Sequence, residues 1–572
     1  MERVRWTGHP FVDAGLSAIA AVTGVSDVKD LEAGHLEHAA AELVRVLLSD
    51  QALGIGVEKS FARGALSQLF PNSELVNPSN WRGRTPEEKA ENVRRKFQEA
   101  LRQDLERAKI SLRCSGDVTC SVCGRKVSED AAISVRKDRM PLLTGIVNFY
   151  PALSCGMQIC GLCAFAIRFL PMSVMQTGVS KRLWFLHTWA LEISAEISRR
   201  YCWCKFNEAI AANESLQFYS RWQTAGDAGT ALYVLCELLD ESVNRFKGVY
   251  LCPPPITVYL FSNDNQKPSI QLLPVSGKLL LLLVRLRFTS IRAFHRFWKE
   301  LLLLPGELSE EVKRARIRFV QEIGRRLLDG ENIVSMCLEE ADGHRPQALK
   351  LQGGWPGHAL YLQEVRGMPE GKLAILERLG LDIARRDDVR KRVLELKKSG
   401  RDELYAVFLR YVREGLLRHD EFYTLLPPNN DACAGELRDV LLAVIYEWQY
   451  CQEEGEEFLG MTKQPVPNSD ETLQRIQQIG GHLCQRLLNL SSWIRKLQTA
   501  RSDEGIRGAY LSAVRQGAMR FADFVFLAPL NDYRRMRHLR DYLLAFLFER
   551  ARDVLPVGED VAVLEGKADE NI

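Results

Sequence analysis

The sequence predicts an α+β protein, and three observations carry that prediction. Two Cys-x-x-Cys pairs, Cys120/Cys123 and Cys160/Cys163, mark a four-cysteine zinc-finger segment. β-rich stretches at Ala131 to Val135, Leu142 to Phe149, Ile256 to Phe261 and Leu279 to Arg287 all fall in the N-terminal half. From about Thr289 onward, apolar residues recur at three- and four-residue intervals, the period of helices. The expected architecture is a mixed N-terminal body with some sheet, then a mostly helical half ending in a helical bundle.

Taken in order, Phe11 to Thr23 reads as a helix stopped by Gly24, and a second helix runs through the 30s and 40s until Gly54. The stretch Phe70-Pro-Asn-Ser-Glu-Leu-Val-Asn-Pro-Ser-Asn80 is rich in turn formers and reads as a long loop. The clearest helix follows: Thr85 caps it, Pro86 takes its first turn, Glu87 and Glu88 suit its dipole, and Val93, Phe97, Leu101 and Leu105 recur every four residues. Between the cysteine pairs, two strands are expected on either side of the charged turn Arg136-Lys-Asp-Arg139. Helices are expected from Lys181 to Asn213 and through the 230s and 240s. After Pro253-Pro-Pro255, two β-rich stretches flank the turn from Ser262 to Pro268.

The helical half has breaks at Pro305-Gly306, Gly353 to Gly357, Pro427-Pro428 and Pro465 to Pro467. Leu473 to Leu490, Ala509 to Leu527 and Tyr533 to Leu547 form the expected basic bundle, and the acidic tail from Gly558 is expected to fray. The expected parts are residues 1–113, 114–175, 176–290, 291–460, 461–557 and 558–572. No internal repeat is present.

Four thiolates at this spacing can close a tetrahedral Zn²⁺ site. Gly124 directly after the first pair lets the backbone turn so that amides donate to sulfur, while the second pair runs into Ala164 to Leu170 and so sits at a helix start. Cys114 and Cys155 lie near enough in sequence to replace a ligand. A dithiol redox pair and four unrelated buried cysteines are the competing readings. A site closed by four sulfurs has no open coordination position, so its zinc would be structural.

The chain of 572 residues is long enough for two to four domains, and its 46% apolar content suits a protein with sizeable cores. The longest apolar run, Leu279 to Val284, is far short of a membrane span, and the N-terminus lacks a leader pattern. A soluble cytoplasmic protein with no membrane partner is therefore expected. Fourteen cysteines in such a chain favour metal over a disulfide framework.

The net charge of +3 conceals local basic stripes. One comprises Arg285, Arg287, Arg292, Arg296 and Lys299; a second Lys313, Arg314, Arg316, Arg318, Arg325 and Arg326; a third Arg534, Arg535, Arg537 and Arg540. Such stripes can follow a phosphate backbone, although each alone also fits a solvated helix face.

No phosphate-binding glycine loop, nucleophile elbow or His-Glu-x-x-His motif occurs. His35, Glu37, His38 and Glu42 come nearest to a metal cluster, and Asp387 and Asp388 read as salt-bridged surface. A non-enzymatic protein is expected.

Trp6-Thr-Gly-His-Pro-Phe-Val-Asp-Ala-Gly15, then Leu69-Phe-Pro-Asn-Ser-Glu74, the two cysteine pairs and Ile256-Thr-Val-Tyr-Leu-Phe-Ser-Asn263 occur in that order. In these phrases the chain resembles the CRISPR-associated CXXC-CXXC family, the large subunits of type I-B Cascade complexes. The resemblance covers roughly the first 290 residues; the C-terminal half matches only in being helical. It implies a non-enzymatic subunit of a prokaryotic, cytoplasmic RNA-guided complex. Such a subunit checks the protospacer-adjacent motif of target double-stranded DNA, helps R-loop opening and recruits a helicase-nuclease. The implied partners are the CRISPR guide RNA, the target duplex and its displaced strand, and the backbone, handle-binding and small subunits of Cascade.

For that role, Asn72, Ser73, Asn77 and Asn80 are the candidate readers of base edges, because amides both donate and accept, and Arg82 and Arg84 would anchor phosphates. The alternative is a loop whose asparagines satisfy their own turns. Arg285, Arg287, Arg292 and Arg296, together with Arg486, Arg495, Lys496, Arg515, Arg520, Arg534 and Arg537 of the bundle, are candidate DNA-backbone contacts. A stand-alone zinc-containing nucleic-acid enzyme, such as a nuclease, is the alternative function. Glu453-Glu-Gly-Glu-Glu457 is encoded by purine-rich codons just before Met461, so Met461 either starts a separate small helical subunit or is an ordinary linker residue.

Overall fold

A computed structural model describes residues 3–113, 115–135, 139–142, 157–177, 182–220, 226–242, 254–263, 268–302, 310–338, 354–427, 434–458, 460, 470–529 and 532–550. The chain divides into two units, Met1–Ile291 with Leu301–Glu331, and Arg292–Glu300 with Asn332–Ile572.

In the first unit, helix α1 (Pro10–Thr23) is buried along almost its whole length and ends at Gly24 in the left-handed region. Helices α2 (Ala33–Leu47), α3 (Asp50–Leu53), α4 (Ala65–Leu69) and α5 (Pro86–Arg113) follow. Thr85 caps α5 as its sequence implies, its Oγ1 accepting the Glu88 N–H at 3.2 Å. Val93, Phe97 and Leu101 are buried, and Leu105 packs against the same core. Short strands β1 (Val118–Thr119) and β2 (Lys126–Val127) form a ribbon, and β3 (Ala132–Val135) pairs with β4 (Met157–Cys160). The expected partner of β3 was the stretch 142–149; of this only Leu142 lies within the described residues, and it occupies a turn at φ 64°.

Helix α6 (Gly161–Ile167) follows β4 and packs between α1 and α5. Strands β5 (Met175–Gln176), β6 (Leu183–His187), β7 (Ile256–Ser262) and β8 (Ser269–Val275) then make one antiparallel sheet in that order. Phe11 of α1 packs on Phe185 and Phe261, with ring centroids 5.3 and 5.2 Å away.

Two expectations fail in this region. The helix expected from Lys181 begins only at α7 (Leu191–Ile197), continues as a wider turn over Ser198–Trp203 and ends with α8 (Cys204–Ala211). The residues before it form strand β6, whose Leu183 to Leu186 are buried on both faces between β5 and β7, the environment that suits a run of leucine and aromatics. Leu279 to Arg287, expected as strand, belongs to a helix. Helix α9 (Gly226–Ser242) precedes it in the chain, and α10 (Gly277–Thr289) contains it, capped by Ser276, whose Oγ accepts the Leu279 N–H at 3.1 Å. A leucine run is compatible with either period, and the cap with its good helix formers decides. The strand paired with β7 is the shorter β8 directly after the turn.

Helix α11 (Ile291–Leu302) falls mostly to the second unit, and α12 (Glu310–Asp329) belongs to the first. Among the described residues the regular elements of the second unit are all helices: α13 (Val334–Leu338), α14 (Trp355–Leu360), α15 (Glu370–Ala384), α16 (Val389–Lys398), α17 (Arg401–Arg413), α18 (His419–Leu425) and α19 (Ala434–Glu454). The expected bundle is α20 (Glu471–Arg486), α21 (Leu490–Thr499), α22 (Asp503–Arg515), α23 (Phe521–Leu527) and α24 (Tyr533–Arg550). It shares its core with α17 and α18: Tyr405 stacks on His538 at 4.9 Å, His419 Nδ1 meets Glu549 at 2.7 Å, and the Tyr542 hydroxyl donates to the Leu426 carbonyl. The breaks at 305–306, 428 and 465–467, Met461 and the tail from 558 lie outside the described residues. Among the described residues no helix is long and apolar enough to cross a membrane.

Candidate metal centre and nucleic-acid interface

The β1–β2 ribbon exposes its turn toward the end of β4, and that turn holds the first cysteine pair. Cys120 N–H donates to Arg125 O at 2.9 Å and Gly124 N–H to Cys120 O at 3.0 Å, which closes the turn. Gly124 sits at φ 70°, a conformation side chains other than glycine rarely adopt. The resulting curl directs the Cys123 amide at the Cys120 sulfur and the Arg125 amide at the Cys123 sulfur. Ser121 N–H, bonded to Gln158 O at 3.0 Å, joins the turn to β4. Cys160 ends β4 and stands at the cap position of α6, and Cys163 lies in that helix's first turn.

These elements bring all four sulfurs within 4.8 Å of one another. Cys120 and Cys163 are 3.9 Å apart and Cys123 and Cys160 are 3.7 Å apart, far beyond a disulfide bond. A four-coordinate ion with thiolates at about 2.3 Å requires sulfur separations of about 3.8 Å, so the set fits a tetrahedral ion. Cys120, Cys160 and Cys163 are buried and Cys123 is half-buried. The expectation of four clustered ligands therefore holds, and the reading as four unrelated cysteines does not. Cys114 and Cys155 lie outside the described residues.

The neighbouring thiols push the Cys120 thiol strongly down by donating to its sulfur. They push Cys160 and Cys163 up, with burial adding to the effect, and a bound cation would let the four share negative charge.

The loop before α5 belongs to the same unit as this centre. Asn72 is exposed and has no hydrogen-bond partner among the described residues, and Arg82 and Arg84 are exposed as well. Ser73, by contrast, is 7% exposed, and its hydroxyl is buried in this conformation. Asn77 Oδ1 accepts Ser79 N–H at 2.9 Å and Asn80 Nδ2 donates to Glu74 O at 2.9 Å, so both amides serve their own turns in this conformation.

The candidate backbone contacts divide by partner. Arg287 donates to Asp240 at 3.0 Å, Arg292 and Arg296 both clasp Glu456, Arg520 binds Asp523 at 2.8 Å and Arg537 binds Asp503 at 3.1 Å. Arg486, Lys496 and Arg515 are exposed with no carboxylate partner among the described residues; Arg285, Arg495 and Arg534 are exposed too. In the second stripe, Arg325 and Arg326 are tied to Glu322.

The weaker candidates for chemistry resolve into surface contacts. His35 accepts the Glu32 N–H, Glu37 pairs with Lys109, Glu42 with Arg45 and Asp388 with Arg392. Among the described residues, the four cysteines are the one group of His, Cys, Asp and Glu that could hold a metal ion.

Sequence reasoning missed two buried polar centres. Asp13, fully buried in α1, accepts from Thr7 N at 2.8 Å, Thr7 Oγ1 at 2.8 Å and Gly8 N at 3.0 Å and meets His187 Nε2 at 3.0 Å, fastening the arm before α1 to β6. The second is Arg168 with Glu74, Asp104 and Arg139. The only available signal was a lone charge inside an apolar run, as at Asp13 and Arg168.

Comparison with family models, with curated proteins and with solved structures found no match to the chain.

Proposed function

We propose that the chain is the non-enzymatic large subunit of a type I-B RNA-guided complex, with a structural Zn²⁺ on Cys120, Cys123, Cys160 and Cys163. In this reading it contacts the flanking motif of target double-stranded DNA, helps open it and recruits the helicase-nuclease, while the guide RNA reads the rest. One observation carries the reading beyond the sequence resemblance. The closed four-sulfur centre leaves no coordination position for a substrate, yet it braces a unit whose exposed Asn72, Arg82 and Arg84 lie on one loop. Arg486, Lys496 and Arg515 of the bundle supply free cationic surface for a phosphate backbone.

Two experiments test this. Elemental analysis of protein purified without chelator should find one zinc per chain, and Cys160→Ser should lose it and yield poorly soluble protein, because metal binding and folding of this segment are coupled. Co-expression with a guide RNA and candidate Cascade subunits should recover the chain in a ribonucleoprotein that has no nuclease activity of its own. Cleavage of DNA by the extensively purified chain with added divalent metal would instead establish a stand-alone zinc-containing enzyme.

A further inference from the structure

Helix α6 has two ends with different attachments. Its first turn carries Cys160 and Cys163, and Arg168 follows directly on its last residue. The Arg168 guanidinium is 9% exposed and binds Glu74 in two places, Nη1 to Oε2 at 2.6 Å and Nη2 to Oε1 at 3.1 Å. Its Nε donates to Asp104 of α5 at 2.9 Å. Arg139 faces the same two carboxylates, 3.2 Å from Asp104 and 3.7 Å from Glu74, and Arg107 reaches Asp104 at 3.9 Å. Arg168 holds the Glu74 carboxyl down at about 2 against the opposing effect of burial.

Glu74 is also the middle of the loop that follows α4. Its carbonyl receives Asn80 Nδ2, and the next carbonyl, Leu75 O, receives Trp81 Nε1, each at 2.9 Å. Elsewhere the loop is fastened by single contacts: Asn263 Nδ2 to Leu69 O at 2.8 Å before it, Asn92 Nδ2 to Arg82 O at 2.7 Å and Arg84 N–H to Glu88 Oε2 at 2.7 Å at its end, and Arg63 over the Trp81 ring at 5.5 Å. A bidentate, buried charge pair is the stiffest of these links, because it fixes both distance and orientation.

We propose that Arg168 is the positioning residue of the 70–84 loop, carrying the placement of the metal-bearing helix through Glu74 to Asn72, Arg82 and Arg84. The zinc centre then does more than hold its own segment: it sets the geometry with which the loop meets a partner. The proposal rests on the reading of that loop as a contact to duplex DNA.

The test is hydrogen exchange on the full-length chain, comparing wild type with Arg168→Met and Glu74→Gln. In both variants the amides from Leu75 to Trp81 should exchange at least tenfold faster, while α1 and α5 keep their protection and one metal per chain is retained. The double variant should exchange no faster than the faster single one, because both remove the same link. Unchanged loop exchange overturns the proposal. Equal acceleration of the loop, α5 and α6 also overturns it, by making Arg168 a general core residue. Duplex binding separates the two claims: a loosened loop with unaltered DNA affinity keeps Arg168 as the positioning residue and rejects the loop as the DNA contact. Asn72→Ala, which leaves the Arg168 link intact, should weaken DNA binding without changing exchange.

Discussion

A single methyl group at Gly161 should dismantle the metal centre. Gly161 opens α6 where that helix crosses α5, and a Cβ built there would lie 2.4 Å from the Arg107 carbonyl carbon and 2.5 Å from its oxygen. Ordinary contact begins near 3.4 Å, so α6 would have to retreat by about 1 Å. The neighbour is backbone in the middle of a long helix and cannot turn aside as a side chain can. Cys160 and Cys163 would move with α6, whereas Cys120 and Cys123 belong to the β1–β2 turn. A displacement of about 1 Å is several times the roughly 0.2 Å tolerance of metal–ligand distances. Gly161 N–H also donates to Ser111 Oγ at 3.1 Å, and losing that bond adds about 1 kcal/mol to an overpacking cost of about 1 to 3 kcal/mol. Gly161→Ala should therefore give up its metal to a chromogenic chelator far faster than wild type and lower the unfolding midpoint of the first unit. Gly34→Ala is the control: it lies in α2 with nothing within 4 Å of its Cβ position, so it should be neutral or stabilise by about 0.5 to 1 kcal/mol. Wild-type metal retention and stability in Gly161→Ala would refute the claim that α6 docks on α5 by backbone contact.

Further outcomes are expected. Burial holds the His358 imidazole down to about 3, so it is neutral in the fold but protonated in the unfolded chain below about 6.5. The stability it contributes is complete above about pH 6.5 and is lost as pH falls toward 3. Denaturation at pH 7 and pH 5 should show wild type losing about 2 kcal/mol more than His358→Leu; equal losses would mean that the ring is hydrated in solution. Asn72→Ala should weaken binding to duplex with the matching flanking motif by about 1 to 3 kcal/mol while leaving unmatched duplex unaffected, and equal loss on both DNAs would assign Asn72 to folding or phosphate contact. If Met461 starts a second product, Met461→Leu should remove a short band from the purified complex, and absence of that band in wild type ends the idea. The isolated fragment Met461–Ile572 should melt well below the full chain, because it lacks Tyr405, Phe422 and Tyr423, which pack on His538 and Tyr542.

The sequence alone determined the elements whose cause is local. Thr85, Pro86 and Glu88 start α5 within one turn, Gly24 stops α1, and two Cys-x-x-Cys pairs named four residues that the fold gathers into a cluster able to hold a metal ion. Helical periodicity likewise exposed the second half, where side chains three and four apart report directly on a buried face. Tertiary structure decided what depends on partners distant in the chain. Leu183 to Leu186 became strand because β5 and β7 cover both of its edges, whereas Leu279 to Arg287 became helix with the same kind of composition. A short leucine-rich run suits either form, so pairing with β5 and β7 makes the first a strand, while the Ser276 cap and good helix formers make the second a helix. At the loop the sequence left two readings open, and the fold shows Asn77 and Asn80 bonded within their own turns and Ser73 buried. The partners of Arg168 were invisible in the sequence. Its carboxylates stand 94 and 64 residues away in sequence, and only the folded chain removes enough water to make their meeting matter.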